Sequence, residues 1–157
     1  MIELRKLSFG GPAAIVTGMG LIVGFDAATA AKSIIIVSLL LFGIADNLTD
    51  SLSVHIYQES ERLAEHNAFR TTIANFFARF FVCITFIIIL LLLSSSTAIL
   101  VSMVWGFILL SLLSYFLARR RGVGAVSEII KHCAVAVAVI AISRAIGARL
   151  PGMVSSL

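Results

Sequence analysis

Charge is scarce in this chain. Only 13% of its 157 residues are Asp, Glu, Lys or Arg, about half the share of a soluble domain. So few charges cannot clothe a water-soluble surface, and a soluble globule is excluded. Cysteine is nearly absent: Cys83 and Cys133 lie in or beside apolar runs with no CxxC spacing. That excludes a cysteine metal cluster and a disulfide framework and leaves both thiols as small packing groups. The ten-residue alternating segments of an outer-membrane barrel are missing too. No nucleophile stands paired with a base, no glycine loop is shaped for phosphate, and no histidines keep metal-ligand spacing, which argues against an enzyme. The net charge of +4 would suggest nucleic acid in a soluble domain. Here the basic residues fall in short segments between apolar runs and read as topology signals, with no nucleic acid partner.

What the chain has is long apolar runs. Hydrophobic residues make up 60% of it and its mean hydropathy is +1.09. The expected fold is therefore an all-α membrane protein, residues 1–157 forming a single transmembrane domain. Five transmembrane helices are read at about 9–25, 33–56, 76–93, 98–118 and 129–147, each near the roughly 20 residues a spanning helix needs. The first is short and glycine-rich, with "GGP" at 10–12 and Gly18, Gly20 and Gly24 beyond it. It should start irregularly and let another backbone approach closely. A cleaved leader ending at "ATA", residues 28–30, is the rival reading of this segment; the first span is preferred. "SSST" at 94–97 leaves room only for a tight turn. The polar stretch from Gln58 to Asn75 should continue the second helix into the cytoplasm before the third span begins.

Orientation follows from Lys and Arg in alternate segments. Arg5, Lys6, Arg62, Arg70, Arg79, Arg119, Arg120 and Arg121 fall on one side, and Lys32 and Arg149 on the other. The N-terminus is expected to be cytoplasmic and the C-terminus external, in a multi-pass protein of the cell (inner) membrane.

The second span ends unusually, in "GIADNLTDSLSVHIYQESERL", residues 43–63. At 100° per residue, Asp46, Asp50, Ser53, Tyr57 and Glu61 fall within about 80° of one another. An aspartate at the centre of a spanning helix costs about 2.5–3.5 kcal/mol. Counted from Ser33, Asp46 lies roughly 20 Å into a core roughly 30 Å thick, and Asp50 roughly 26 Å. Two carboxylates one turn apart in a poor dielectric do not both stay charged unless a cation lies between them; otherwise one takes a proton. Cation and proton then compete for one place, as a cation/proton exchanger requires. The bland readings are an interhelical hydrogen bond for Asp46 and plain hydration for Asp50. Asn47 adds an oxygen nearby, and Glu59, Glu61 and Glu65 form either a cation-gathering mouth or a solvated face. His55 reads as an imidazole meeting water, Met19 and Met103 as packing, and Trp105 as structural.

These residues resemble the vacuolar iron transporter family, five-helix membrane proteins whose second helix typically ends in something like "GEYVSVSSQRDSE". "TDSLSVHIYQESE", residues 49–61, runs alongside it without gaps. "FGGPAAIVTGMGLIVG", residues 9–24, is similar to the family's "FGxxDGIVSTLGLVAG", and "AVAVIAISRAIGARLPG", residues 136–152, to its closing helix. The chain departs from the pattern in three places. The family's first-helix aspartate falls on Ala13, a common second-helix methionine falls on Asp46, and the cytoplasmic metal-binding domain has no counterpart.

The resemblance implies a homodimer that exports a divalent metal, Fe2+ or Mn2+, in exchange for protons. No cofactor would be tightly bound, and the partners would be the lipid bilayer and the metal ion. The expected metal set is Asp46, Asp50, Asn47, Ser53, Glu61 and Glu65, with Asp46 replacing the acid lost at Ala13. An all-oxygen set of this kind favours the harder ions. The alternative is a non-transporting membrane subunit that packs against other subunits of a larger complex.

Overall fold

The computed structural model describes residues 10–60 and 65–154, with side chains described at all of these except 58–60 and 65–68. The described residues are almost entirely helical and contain no strand. Helix α1 spans Gly11–Ala27, α2 Lys32–Leu41, α3 Asn47–Ser60, α4 Glu65–Leu92, α5 Ser95–Arg121 and α6 Ala125–Val154. A five-residue π-helical turn, Phe42–Asp46, joins α2 to α3. The three pieces form one apolar helix from Lys32 to Tyr57 that is long enough to cross a membrane, as are the apolar parts of α4, α5 and α6. Helix α1 is apolar but shorter.

Helix α1, shorter than the four spanning helices, is the hub. Helix α1 packs against α2, α4, α5 and α6, and its glycines explain how so many neighbours fit. A Cβ on Gly18 would meet the Phe86 ring at 3.1 Å, and one on Gly20 would meet Ser143 Oγ and Val139 at 3.0 Å. Gly147 of α6 sits directly on the Gly24 carbonyl, and Gly106 of α5 lies under the Met19 side chain. The expected close backbone approach is therefore made inside the chain. The expected irregular start is not seen: α1 is regular from Gly11, because Pro12 stands in the first turn, where its missing N–H breaks no helical bond.

Helix α5 shows the same logic in its spacing. Ala98, Ser102, Gly106, Leu110, Ser114 and Ala118 recur every fourth residue and are its buried face. Five of the six are small, which lets neighbours in close: Met19 of α1 lies against Gly106, and His132 of α6 meets Ser114 at 2.7 Å. Gly122, at φ 67°, ends the helix in the left-handed region that glycine enters without strain. The "SSST" turn is tight as expected, with α5 beginning at Ser95 only three residues after α4 ends at Leu92.

Two boundaries depart from expectation. The polar stretch after the second span is helical on both sides of residues 61–64, which lie outside the described residues: α3 reaches Ser60, and α4 runs from Glu65, well before residue 76. A polar first face does not stop a helix when its own buried stripe continues unbroken. Thr71, Asn75, Arg79 and Cys83 are all buried, and Phe86, Ile87 and Leu90 carry the stripe onward. Helix α6 likewise extends beyond 129–147 at both ends, with Pro151 in its final turn.

The bundle is polar within and apolar without, at one end. Phe86, Ile15, Met19, Ile22, Leu39, Leu90 and Leu110 fill an apolar core. Towards the start of α1 the interior changes to Asn47, Ser51, Asn75, Arg79 and Ser114, all buried. Outside, Leu92, Val126, Phe81 and Leu100 are among many large apolar side chains left exposed. Water would penalise that surface, whereas hydrocarbon does not. Gly147→Leu must push a side chain into the Gly24 carbonyl and should lower stability by about 3 kcal/mol or more. Gly124→Ala, with nothing within 4 Å, should leave it unchanged. Thermal unfolding in detergent checks the pair.

Candidate functional site

The polar end of the bundle is organised by one side chain, Arg79. Its guanidinium is buried, with only 4% of the side chain exposed. Nε donates to Asn47 Oδ1 at 2.7 Å, Nη2 to Asp46 Oδ2 at 2.8 Å, and Nη1 lies 2.9 Å from Asp50 Oδ2. Nη1 also reaches the Gly10 carbonyl at 3.4 Å, at the start of α1. Asn75, one turn before Arg79 on α4, donates Nδ2 to Asp50 Oδ2 at 3.0 Å. The arginine thus ties α1, the π turn, α3 and α4 together.

The π turn sets this geometry locally. The Asn47 backbone N–H bonds the Phe42 carbonyl, five residues back. That leaves the Gly43 carbonyl without its regular partner, and Asn47 Nδ2 takes it at 2.8 Å. One amide therefore closes the turn with its nitrogen and holds the arginine with its oxygen. Gly43 is needed because Cys83 of α4 crosses there, 3.2 Å from where a Cβ would lie. π turns inside α-helices are frequent at functional sites.

The sequence expectation that Asp46 and Asp50 share one face is met, and what lies between them is a cation belonging to the chain itself. Arg79 was counted among the cytoplasmic topology charges; the structure instead buries it within the apolar helix 69–92. Without it the count of basic residues is seven against two, so the bias is unchanged. The other expected metal ligands are placed unevenly. Asn47 is engaged within the chain, its oxygen on Arg79 and its nitrogen on Gly43. Ser53 is exposed and donates to the Thr49 carbonyl at 3.0 Å. Glu61 and the Glu65 side chain lie outside the described residues. Among the described residues, no three His, Cys, Asp or Glu side chains gather as a metal site.

Arg79 and Asn75 complete the cluster and are not among the site residues expected from the sequence. Their signal is "NFFARFF", residues 75–81, a single arginine between phenylalanine pairs one turn after an asparagine. Two acids in one span call for a base in another, and this is the nearest candidate. His55 meets Thr72 Oγ1 at 3.4 Å, a contact between α3 and α4. Trp105 donates to Thr85 Oγ1 at 3.1 Å and has the structural place expected of it.

The two carboxylates are not equivalent. Asp46 keeps 53% of its side chain exposed and Asp50 37%, and only Asp50 has a second donor. Counted as ionised, two carboxylates against one guanidinium leave one negative charge unbalanced among the described residues. The cluster is therefore a partly open acidic seat filled by an internal cation. Compared with known proteins, the chain matches no protein-family model, no curated protein and no solved structure.

Removing the buried partner of an ion pair costs about 3–5 kcal/mol, whereas a half-exposed partner is screened by solvent. Arg79→Ala should therefore destabilise most, Asp50→Asn less and Asp46→Asn least. Thermal unfolding of the three variants in one detergent reads the order.

Proposed function

We propose that the protein is a multi-pass membrane carrier for a divalent metal cation, Fe2+ or Mn2+, exchanged for protons and moved out of the cytoplasm of a cell with its N-terminus inside. The observation that carries this reading is the convergence of Asp46 and Asp50 on one cationic centre inside an otherwise apolar bundle. Ionisable groups in spanning helices are expensive and mark ion or proton pathways. Both carboxylates keep part of their surface open, so a cation or proton arriving from outside the bundle has oxygen to meet. The resemblance of residues 49–61 to the second helix of vacuolar iron transporters supports a divalent metal as cargo, and a homodimer as the assembly.

A second reading has its own support. Arg79 already satisfies the carboxylate pair, and a permanent ion pair of this kind is what a non-transporting membrane subunit would use to lock its helices. In that case the cluster orders the bundle and carries nothing.

Flux in proteoliposomes separates the two. The carrier reading predicts uptake of Mn2+ or Fe2+ with opposite movement of protons, reported by a trapped pH dye. That flux should fall at least about tenfold, or 1.4 kcal/mol in barrier, in the double variant Asp46→Asn with Asp50→Asn. Absence of metal flux from folded protein leaves only the subunit reading, and flux indifferent to the double variant takes Asp46 and Asp50 out of the pathway.

A further inference from the structure

Resting on the carrier reading, we infer that Arg79 is a tethered stand-in for the carried cation. Its guanidinium holds the seat between Asp46 and Asp50 when no cargo is present, and a soluble cation loads only as the arginine leaves. The site is thus blocked by its own chain.

Three observations carry this. The first is the fit: Nε, Nη1 and Nη2 each face an acceptor at 2.7–2.9 Å, contributed by Asn47, Asp50 and Asp46.

The second is an acceptor the arginine does not use. Asn75 is 1% exposed and its Oδ1 is buried with no hydrogen-bond partner. It lies beside the same seat, 2.5 Å from where a Cβ on Gly10 would stand, with Arg79 Cδ at 2.6 Å from that point. A buried acceptor left without a donor costs about 1–3 kcal/mol. The seat therefore offers one more oxygen than its resident cation fills, and a metal ion bringing water ligands supplies the missing donor.

The third is charge. Among the described residues, one guanidinium leaves the carboxylate pair underbalanced by one unit, whereas one divalent ion balances it. Arginine closes the seat without saturating it, so a divalent cation competes for the same oxygens on better electrostatic terms. A lysine at 79 would compete less well, because its compact ammonium cannot span two carboxylates as the fork does.

Mn2+ binding to the full chain in lipid nanodiscs, measured by calorimetry, tests this in wild type, Arg79→Ala, Arg79→Lys, and Arg79→Ala combined with Asp46→Asn and Asp50→Asn. Arg79→Ala should bind Mn2+ at least about tenfold more tightly than wild type, a difference of 1.4 kcal/mol. Arg79→Lys should fall between them, and the combined variant should lose the gain. Guanidinium ion at millimolar concentration should displace Mn2+ from Arg79→Ala. Equal affinity in wild type and Arg79→Ala, or a gain that survives in the combined variant, overturns the inference. If Arg79→Ala does not fold, Arg79→Lys decides alone: affinity at or below wild type overturns it. Metal flux with unchanged Mn2+ affinity in Arg79→Ala would sink this inference while sparing the carrier. Tightened binding without wild-type flux would sink the carrier while sparing the seat.

Discussion

A guanidinium buried between two carboxylates is the constraint on which the rest of this structure depends. While it stays inside the bundle, Arg79 cannot be left unpaired, because an uncompensated buried charge is far costlier than the pair. Its partners come from three other parts of the chain: Asp46 at the end of the π turn, Asn47 and Asp50 on α3, and the Gly10 carbonyl before α1. Each must arrive in register. The π turn, the absent side chain at Gly10 and the amide of Asn47 all serve that requirement.

The two ends of the bundle obey different rules. Where Ile15, Met19, Phe86 and Leu90 meet, cohesion comes from close packing, and small residues at Gly18, Gly106 and Gly147 let the helices approach. Where α1 begins, cohesion comes from directed hydrogen bonds around one charge. Packing of the first kind resists rearrangement, because an interdigitated core has few alternative arrangements. An ion pair with partly open carboxylates has an alternative whenever another cation arrives. The polar end is therefore the part of the molecule in which a change of state can be confined.

Much of the helical layout was legible in the sequence because apolar run length is a direct physical requirement for crossing hydrocarbon. The glycine spacing in α1 also reported faithfully, since close approach permits few residue types. Helix boundaries in polar stretches were harder. The part of α4 before residue 76 begins a buried stripe with a four-residue repeat, Thr71, Asn75, Arg79 and Cys83, and hydropathy averages over it. The face shared by Asp46 and Asp50 followed from helical geometry alone. The π turn was not legible, because its contacts, Cys83 against Gly43 and Arg79 on Asn47, join residues more than thirty positions apart. Arg79 was misplaced for a related reason: a basic residue near a span's beginning looks like a topology signal until its partners are seen.

The same contrast separates the two functional readings. A locking ion pair and a loaded seat share one geometry at rest and differ in what happens when a competing cation is offered. Solid-state NMR of the chain in lipid, with labelled arginine and aspartate, follows the contact itself. The Arg79 guanidinium nitrogens should lie within about 4 Å of both carboxylates without metal, and that contact should be lost at saturating concentrations of a diamagnetic divalent ion. A contact that persists unchanged under saturation, or one never present in lipid, would contradict the account.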